Sequence, residues 1–364
     1  TNVFSTPALN TTTSYYVETT VNGCTSATRT QVTVTVQQPI ANNTVSGQQN
    51  LCKGMPSATL TGSTPSGGSG TYTYRWESST TSATEGFSAA SGANTGSTYS
   101  PGTLTQTTWF RRVVVSGQCA NSESNVVEIN ITPAITGNTI AGEQTICEGT
   151  VPAKISGAEP SGGTGTFAYA WAYSTNGTTF TPMANATERE YTPGVLTETT
   201  WFRRDVTSGS CTVKSEAVKV TVEKKLGSNI ITADQTICKG TSAAQLTGSI
   251  PTGGSGTYTY SWESSTDGTT YTAASGAINA QHYSPGAVTV TTWFRRKVNG
   301  GMCAPDYSTP VKVTVSEPIA DNTISTEQSI CSGSIPGALL GSTPTGGDGT
   351  GNFSYRWESS TVSA

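Results

Sequence analysis

The hexapeptide Thr-Thr-Trp-Phe-Arg-Arg stands at 107–112, 199–204 and 291–296. Two aromatic rings beside two guanidinium groups are the parts of a ligand platform, with rings to stack on a flat surface and arginines to hold an anion or lie over a ring. Trp109, Arg111, Trp201, Arg203, Trp293 and Arg295 are the residues that would form such a surface patch. The rival reading is one strand of a repeated module, its aromatics spent on packing.

Other chemistry is sparse. His282 is the single histidine, and it aligns with Thr98 and Glu190 of sister segments, which marks a solvated loop residue. Carboxylates do not recur in pairs suited to acid/base work, and no calcium loop of the D-x-D-x-D-G kind appears. Paired cysteines raise the question of zinc, but the chain has no C-x-x-C. A "P-x-G-G-x-G" segment recurs at 65–70, 160–165, 251–256 and 344–349. It lacks the Lys-Ser/Thr and following helix of a phosphate loop and leads into strand-like "TYTYRW", so it reads as a connection between strands. The expectation is a chain without catalytic residues, cofactor or metal, and therefore not an enzyme.

The hexapeptide belongs to a lattice. Cys52, Cys147, Cys238 and Cys331 recur every 91 to 95 residues. Trp76, Trp171 and Trp262 follow the first three by 24 residues, and Trp357 follows the fourth by 26. Trp109, Trp201 and Trp293 each precede Cys119, Cys211 or Cys303 by ten. All seven tryptophans and eight cysteines fall on this grid, because Cys24 closes an earlier unit. The division is 1–38 (the C-terminal half of an Ig-like domain), repeats at 39–133, 134–225 and 226–317, and 318–364 (the N-terminal half of a fourth). A chain that begins and ends inside units reads as a window on a longer protein or as a processed product.

Each unit alternates like a half-buried sheet. Val127, Ile129 and Ile131 mark its last strand, as do Val218, Val220 and Val222, and Val311, Val313 and Val315. Leu60, Ile155, Leu246 and Leu339 mark a short second strand, and "STNGTT" and "STDGTT" suggest type I′ hairpins. In "YSPGTLTQTTWFRR" an apolar residue, a polar turn and an aromatic opening a strand match the corner before the sixth strand of an immunoglobulin-like sandwich. The fold expected is all-β, a tandem array of seven-stranded Ig-like or PKD-like sandwiches forming an elongated rod. Linkers carrying Ile40, Ile135, Leu226 or Ile319 are too short and apolar for tethers and should pack between neighbours.

Alternation sends the two arginines of each pair to opposite faces. Glu77 and Glu263, next to the core tryptophans, should then meet the outward arginine across the sheet, though unit two has Ala172 there. The registers Phe202, Arg204, Val206 and Phe294, Arg296, Val298 favour Phe inward and Trp outward, while Tyr15 and Val17 of the first segment argue the other way.

Two cysteines per unit suggest an oxidising compartment. Pairing within units (Cys52–Cys119, Cys147–Cys211, Cys238–Cys303) closes a loop over most of each unit and lets each unit stabilise itself, and it is the pairing favoured here. Pairing across junctions, Cys24 with Cys52 and Cys119 with Cys147, has an equally steady spacing. Sandwich geometry warns against the first, because a cysteine before the second strand and one after the sixth tend to opposite ends.

Charged residues make up 12% and the net charge is -4, which offers no general attraction to nucleic acid or anionic lipid. No apolar run approaches the roughly 18 residues of a membrane span, so neither nucleic-acid binding nor membrane insertion is expected.

Together, "QTIC-x-G", "P-x-GG-x-G-x-Y-x-Y-x-W", "Y-[ST]-PG" and "TTWFRR…C…V-x-V" resemble the tandem Ig-like and PKD-like repeats of giant Bacteroidota cell-surface adhesins of the gliding-motility type. Residues 1–36 are similar to a sister Ig-like class of the same proteins. The resemblance implies type IX secretion, an extracellular place on the cell surface, and a stalk or filament that projects adhesive regions and bears load. It implies as partners other copies of the repeat or fibre, and extracellular polysaccharide or surfaces. The alternative is a spacer or carbohydrate-binding array of a secreted polysaccharide-degrading enzyme. Strand exchange between the terminal half-domains is a further route to polymers.

Overall fold

The structure, a computed structural model, describes residues 2–325 and 327–362. Among them every regular element is a strand, and three sandwiches follow one another along the chain. In the first, a three-stranded sheet orders Thr98–Tyr99, Leu60–Gly62 and Val45–Ser46. The facing sheet orders Gln49–Cys52, Val127–Thr132, Thr108–Val115, Thr73–Ser79 and Ser88–Ala89, with Ser122–Glu123 also on the Thr108–Val115 strand. The opening strand is broken and changes sheet between Ser46 and Gln49, and the closing strand is broken between Glu123 and Val127. Counting each broken strand once leaves the seven strands expected. We refer below to the cysteine strand (Gln49–Cys52, Gln144–Cys147, Gln235–Cys238), the tryptophan strand (Thr73–Ser79, Ala168–Ser174, Thr259–Ser265) and the arginine strand (Thr108–Val115, Thr200–Ser208, Thr292–Asn299). The closing strand ends at Thr132, Glu223 and, in the third repeat, in Val311–Ala320.

The cysteine strand runs parallel to the closing strand, Cys52 opposite Thr132 and Cys147 opposite Glu223. The arginine strand lies antiparallel to the tryptophan strand, with Arg112 facing Trp76, Arg204 facing Trp171 and Arg296 facing Trp262. The first segment contributes two antiparallel pairs, Thr13–Val17 with Thr30–Val34 and Thr20–Val21 with Cys24–Thr25, and Val17, Val32 and Val34 are exposed. In the last segment Ile324–Ser325 pairs with Leu340–Gly341, and Trp357 is 56% exposed where its counterparts are buried.

The core follows the sequence pattern. Trp76, Trp171 and Trp262 are at most 1% exposed, and the tyrosine of each Tyr-Ser/Thr-Pro-Gly segment stacks between that indole and the inward phenylalanine. Tyr99 lies 5.7 Å from Trp76 and 5.6 Å from Phe110, and Tyr191 and Tyr283 repeat the arrangement. Each indole N–H donates to a carbonyl, that of Gly96, Glu188 or Ala280, so the large ring is buried without an unmet donor. Leu60, Ile155 and Leu246 close the core from the other sheet at 0% exposure. Burial of each such side chain stabilises by about 1.5–3 kcal/mol. The two Asx-Gly turns depart from the expected type I′. Only Gly177 and Gly268 have positive φ, whereas type I′ needs two such residues. Asn176 and Asp267 instead cap the turn with their side-chain oxygens, accepting from the backbone N–H groups two and three residues on.

The second arginine of each pair is the unexpected part of the interior. Arg112, Arg204 and Arg296 are 0% exposed, with no carboxylate bonded to them. Neutral oxygens spread around the fork satisfy the guanidinium. Arg112 donates to Asn43 Oδ1 at 3.0 Å, Ser63 O at 2.7 Å and Ser97 O at 3.1 Å. Arg204 uses Asn138, Ala158 and Arg189 in the same way, and Arg296 uses Asn229, Ser249 and Gln281. A tyrosine ring covers each group, Tyr74, Tyr169 or Tyr260, at 4.9 to 5.2 Å. Burial pushes the three guanidinium pKa values down, yet arginine stays protonated, so the charge sits inside the domain. The glycine beside each fork is obligatory, because a Cβ on Gly62, Gly157 or Gly248 would lie 1.8 to 2.0 Å from Nη1.

Replacing Arg204 by Met would leave buried Asn138 Oδ1 and the part-buried carbonyls of Ala158 and Arg189 without their donor, at a cost on the order of 2–4 kcal/mol. Gly157→Ala should destabilise the same domain by collision. In both variants hydrogen-exchange mass spectrometry should show faster exchange confined to the second repeat, and unchanged protection there would contradict this account.

Candidate functional site: the junctions between repeats and the arginine strand

The outward residues of the arginine strand lie on the solvent face of the larger sheet. Arg111 reaches Glu77 at 2.8 Å and Glu123 at 2.7 Å, and Arg295 reaches Glu263 at 2.7 Å. Burial alone would raise the Glu77 carboxyl, but hydrogen bonds from Arg111 and Arg75 outweigh it and hold its pKa below the usual range. In the second repeat, where Ala172 replaces the glutamate, Arg203 pairs with Asp205 at 3.1 Å. What is constant is an aromatic ring beneath the guanidinium, Phe87, Phe180 or Tyr271, at 4.1 to 4.4 Å. Trp109, Trp201 and Trp293 face outward and are half-buried. A lysine lies over two of the rings, Lys219 at 5.3 Å from Trp201 and Lys312 at 5.0 Å from Trp293. Gly177 and Gly268 pack onto the same two rings from the adjacent turn. The arrangement brings each Trp and its outward Arg to one face, with the guanidinium stacked on a different ring. His282 is exposed and accepts a hydrogen bond from the Gly248 N–H.

The disulfides join neighbouring repeats. Cys52 of the first is bonded to Cys211 of the second, and Cys147 of the second to Cys303 of the third. The expected pairs Cys52–Cys119, Cys147–Cys211 and Cys238–Cys303 are therefore corrected, and so is pairing of adjacent cysteines such as Cys119 with Cys147. Distance within the sandwich is the reason. Cys52 lies opposite Thr132, beyond the Thr108 end of the arginine strand, and Cys119 lies beyond its Val115 end. At about 3.3 Å per residue the strand between them is roughly 23 Å long, against a Cα separation of at most about 7 Å for a disulfide. The observed pairs have Cα separations of 4.9 and 4.8 Å.

The peptide linker supplies a second connection at each junction. It lies in the glycine-rich loop of its own repeat, with Gly68 N donating to Gln38 O, Gly163 N to Pro133 O and Gly254 N to Lys224 O. A Cβ on Gly67, Gly162 or Gly253 would stand 2.0 to 2.2 Å from a linker carbonyl. The P-x-G-G-x-G segment is thus a connection between strands, as expected, and also a seat for the incoming chain. Ile135 is 6% exposed and packs with Val206, Cys211, Cys52 and Phe167, sealing the staple between the first two repeats. Leu226 is half-buried at the next junction, whereas Ile319 is 61% exposed, contrary to expectation, beside the incomplete last segment. A polar residue at or just past the end of each closing strand grips the following cysteine loop. Gln37 Oε1 accepts from Gln118 N, Thr132 Oγ1 from Ser210 Oγ, and Glu223 Oε2 from Met302 N at 2.7 Å.

Sequence reasoning put Arg204 and Arg296 on the inward register but did not foresee the full burial of Arg112, Arg204 and Arg296, nor Asn43, Asn138 and Asn229 as their partners. The signal was present: Phe-x-Arg-x-Val shares one strand face, and an asparagine recurs just after every linker. Among the described residues no group of three His, Cys, Asp or Glu is placed to hold a metal.

Non-reducing digestion should yield linked peptides containing Cys52 with Cys211 and Cys147 with Cys303. Recovery of a Cys52–Cys119 peptide would overturn the junction assignment. Gly162→Ala should lift the linker from its seat, so protease cleavage near Ala134 should accelerate while the second repeat's core keeps its exchange protection.

A family model described as a domain of unknown function, DUF8696, matches residues 41–133, 136–224 and 227–317, and one described as an Ig-like domain, CHU_C associated, matches 1–38. No curated protein matches. Among solved structures, the titin domains I67–I69 in an E-to-A variant match with a TM-score of 0.46 at 9% identity, covering 76% of this chain and 98% of that one. Three N-terminal domains of the bacteriophage RB49 Hoc protein match at 0.34 and 14%, covering 75% and 98%. Drosophila OTK extracellular domains 3–5 match at 0.34 and 13%, covering 76% and 99%. With three tandem copies spanning most of its length, the chain belongs to the DUF8696 domain family.

Proposed function

We propose that this chain is a stalk segment of a large bacterial cell-surface adhesin, holding adhesive regions away from the cell and bearing load. The observation that carries the reading is the doubly covalent junction. A linker seated in a glycine-rich cradle and a disulfide join the same two repeats, so neither junction can swing as a free hinge. A module built only to space two activities needs no such bracing. The disulfides require an oxidising compartment, which fits a place outside the cell. The Ig-like domain model at 1–38 supports the Bacteroidota setting through its CHU_C association. Adhesion to surfaces or extracellular polysaccharide, export by type IX secretion and a part in gliding are the finer content of the proposal.

Antibodies against residues 39–317 should label intact, unpermeabilised cells of the source bacterium. Cells lacking these repeats should detach at several-fold lower shear in a flow chamber. Labelling only after permeabilisation, or unchanged attachment under flow, would sink the reading.

A further inference from the structure

The disulfides are staggered, and their stagger draws continuous covalent lines along the array. One line descends the cysteine strand of the first repeat to Cys52, crosses to Cys211, and follows the closing strand of the second repeat and the linker into the cysteine strand of the third, ending at Cys238. A second line starts at Cys119 and follows the closing strand of the first repeat and the linker into the cysteine strand of the second. From Cys147 it crosses to Cys303 and the closing strand of the third repeat. Each line crosses every repeat once, by the cysteine strand at the edge of the larger sheet or by the closing strand beside it, and these two strands are parallel neighbours. The body of each sandwich, from the second strand through the arginine strand, lies off both lines.

Cys119 and the two bonded cysteines of its class share one setting. Their Sγ atoms lie 3.3 to 3.4 Å from a linker carbonyl, that of Gln38, Pro133 or Lys224. The step from one crossing to the next is also steady, since Cys119 to Cys147 and Cys211 to Cys238 differ in length by a single position.

We infer that the repeats form a covalent cable in which the staggered disulfides set a stop on extension, so that unfolding releases no more chain than the shortest route between them. Three stretches of chain run in parallel between the two disulfides, from Cys52 to Cys147, from Cys147 to Cys211 and from Cys211 to Cys303. Whichever sandwiches unfold, the span from Cys52 to Cys303 cannot exceed the shortest of these routes, the one between Cys147 and Cys211. At ~3.4 Å per residue that route reaches about 220 Å, against about 850 Å for the whole Cys52–Cys303 stretch of the reduced chain. Reduction therefore lengthens the reach of an unfolded span about fourfold. This property goes beyond the stalk reading, since it holds whatever the stalk carries.

Single-molecule stretching of the whole chain between terminal tags, with the remaining thiols alkylated, tests it. Mass spectrometry should first establish that both cross-links are present. With both disulfides closed, the contour length contributed by the Cys52–Cys303 span should be that of the Cys147–Cys211 stretch, about 220 Å. In C147S/C303S it should be that of the Cys211–Cys303 stretch, about 310 Å, and in C52S/C211S that of the Cys52–Cys147 stretch, about 320 Å. Under a reductant it should rise to about 850 Å. If the serine variants do not fold, adding the reductant to wild-type chains already under tension gives the first and last values. Extension through the whole Cys52–Cys303 stretch with both cross-links intact would overturn the proposal, as would equal lengths before and after reduction.

Discussion

A strand cannot bring the two cysteines of its own sandwich together, and most of the molecule is arranged around that constraint. The cysteine strand ends at the pole where the chain leaves a repeat, and the second cysteine lies beyond the arginine strand at the pole where the chain enters. Each thiol therefore faces a neighbour. Cys52 meets Cys211 and Cys147 meets Cys303 at Cα separations of 4.9 and 4.8 Å. The glycine-rich loop, the apolar linker residue and the polar end of the preceding closing strand all hold the two poles in the position this requires.

The buried arginine couples that junction to the core. Asn43, Asn138 and Asn229 accept from the guanidinium, and their amide groups donate to the carbonyls of Arg112, Arg204 and Arg296. Each asparagine stands just after the linker, Ile135 and Asn138 being three apart. A repeat thus cannot complete its interior without fixing the start of its chain. A charge buried without a carboxylate is expensive unless every donor is met. The fork is met here by carbonyls of segments far apart in the chain, which rewards one register of the sandwich over its neighbours.

Much of this was legible. The period of the cysteines and tryptophans gave the repeats, alternation at Val127, Ile129 and Ile131 gave a half-buried strand, and the Phe202, Arg204, Val206 register told inward from outward. The outward Arg111–Glu77 and Arg295–Glu263 pairs followed from the same alternation. Three features were not legible. The register put Arg204 on the inward face, but not its full burial, because a charged residue is seldom fully buried and its partners come from segments 15 to 66 residues away. The Asx-Gly turns matched a type I′ dipeptide but took side-chain caps instead. Even spacing of the cysteines supported two local pairings, neither of which formed.

The sequence by itself determined what depends on short-range order: strand faces, the aromatic core, the tandem count and the need for glycine near particular turns. Period and alternation are local consequences of backbone geometry, so they can be read without coordinates. Only the tertiary structure decided which sulfur met which and where each second arginine went. Those choices depend on which pole of a sandwich a residue occupies and on what the next sandwich places against it. Separations of 159 and 156 residues between bonded cysteines lie far beyond any local rule.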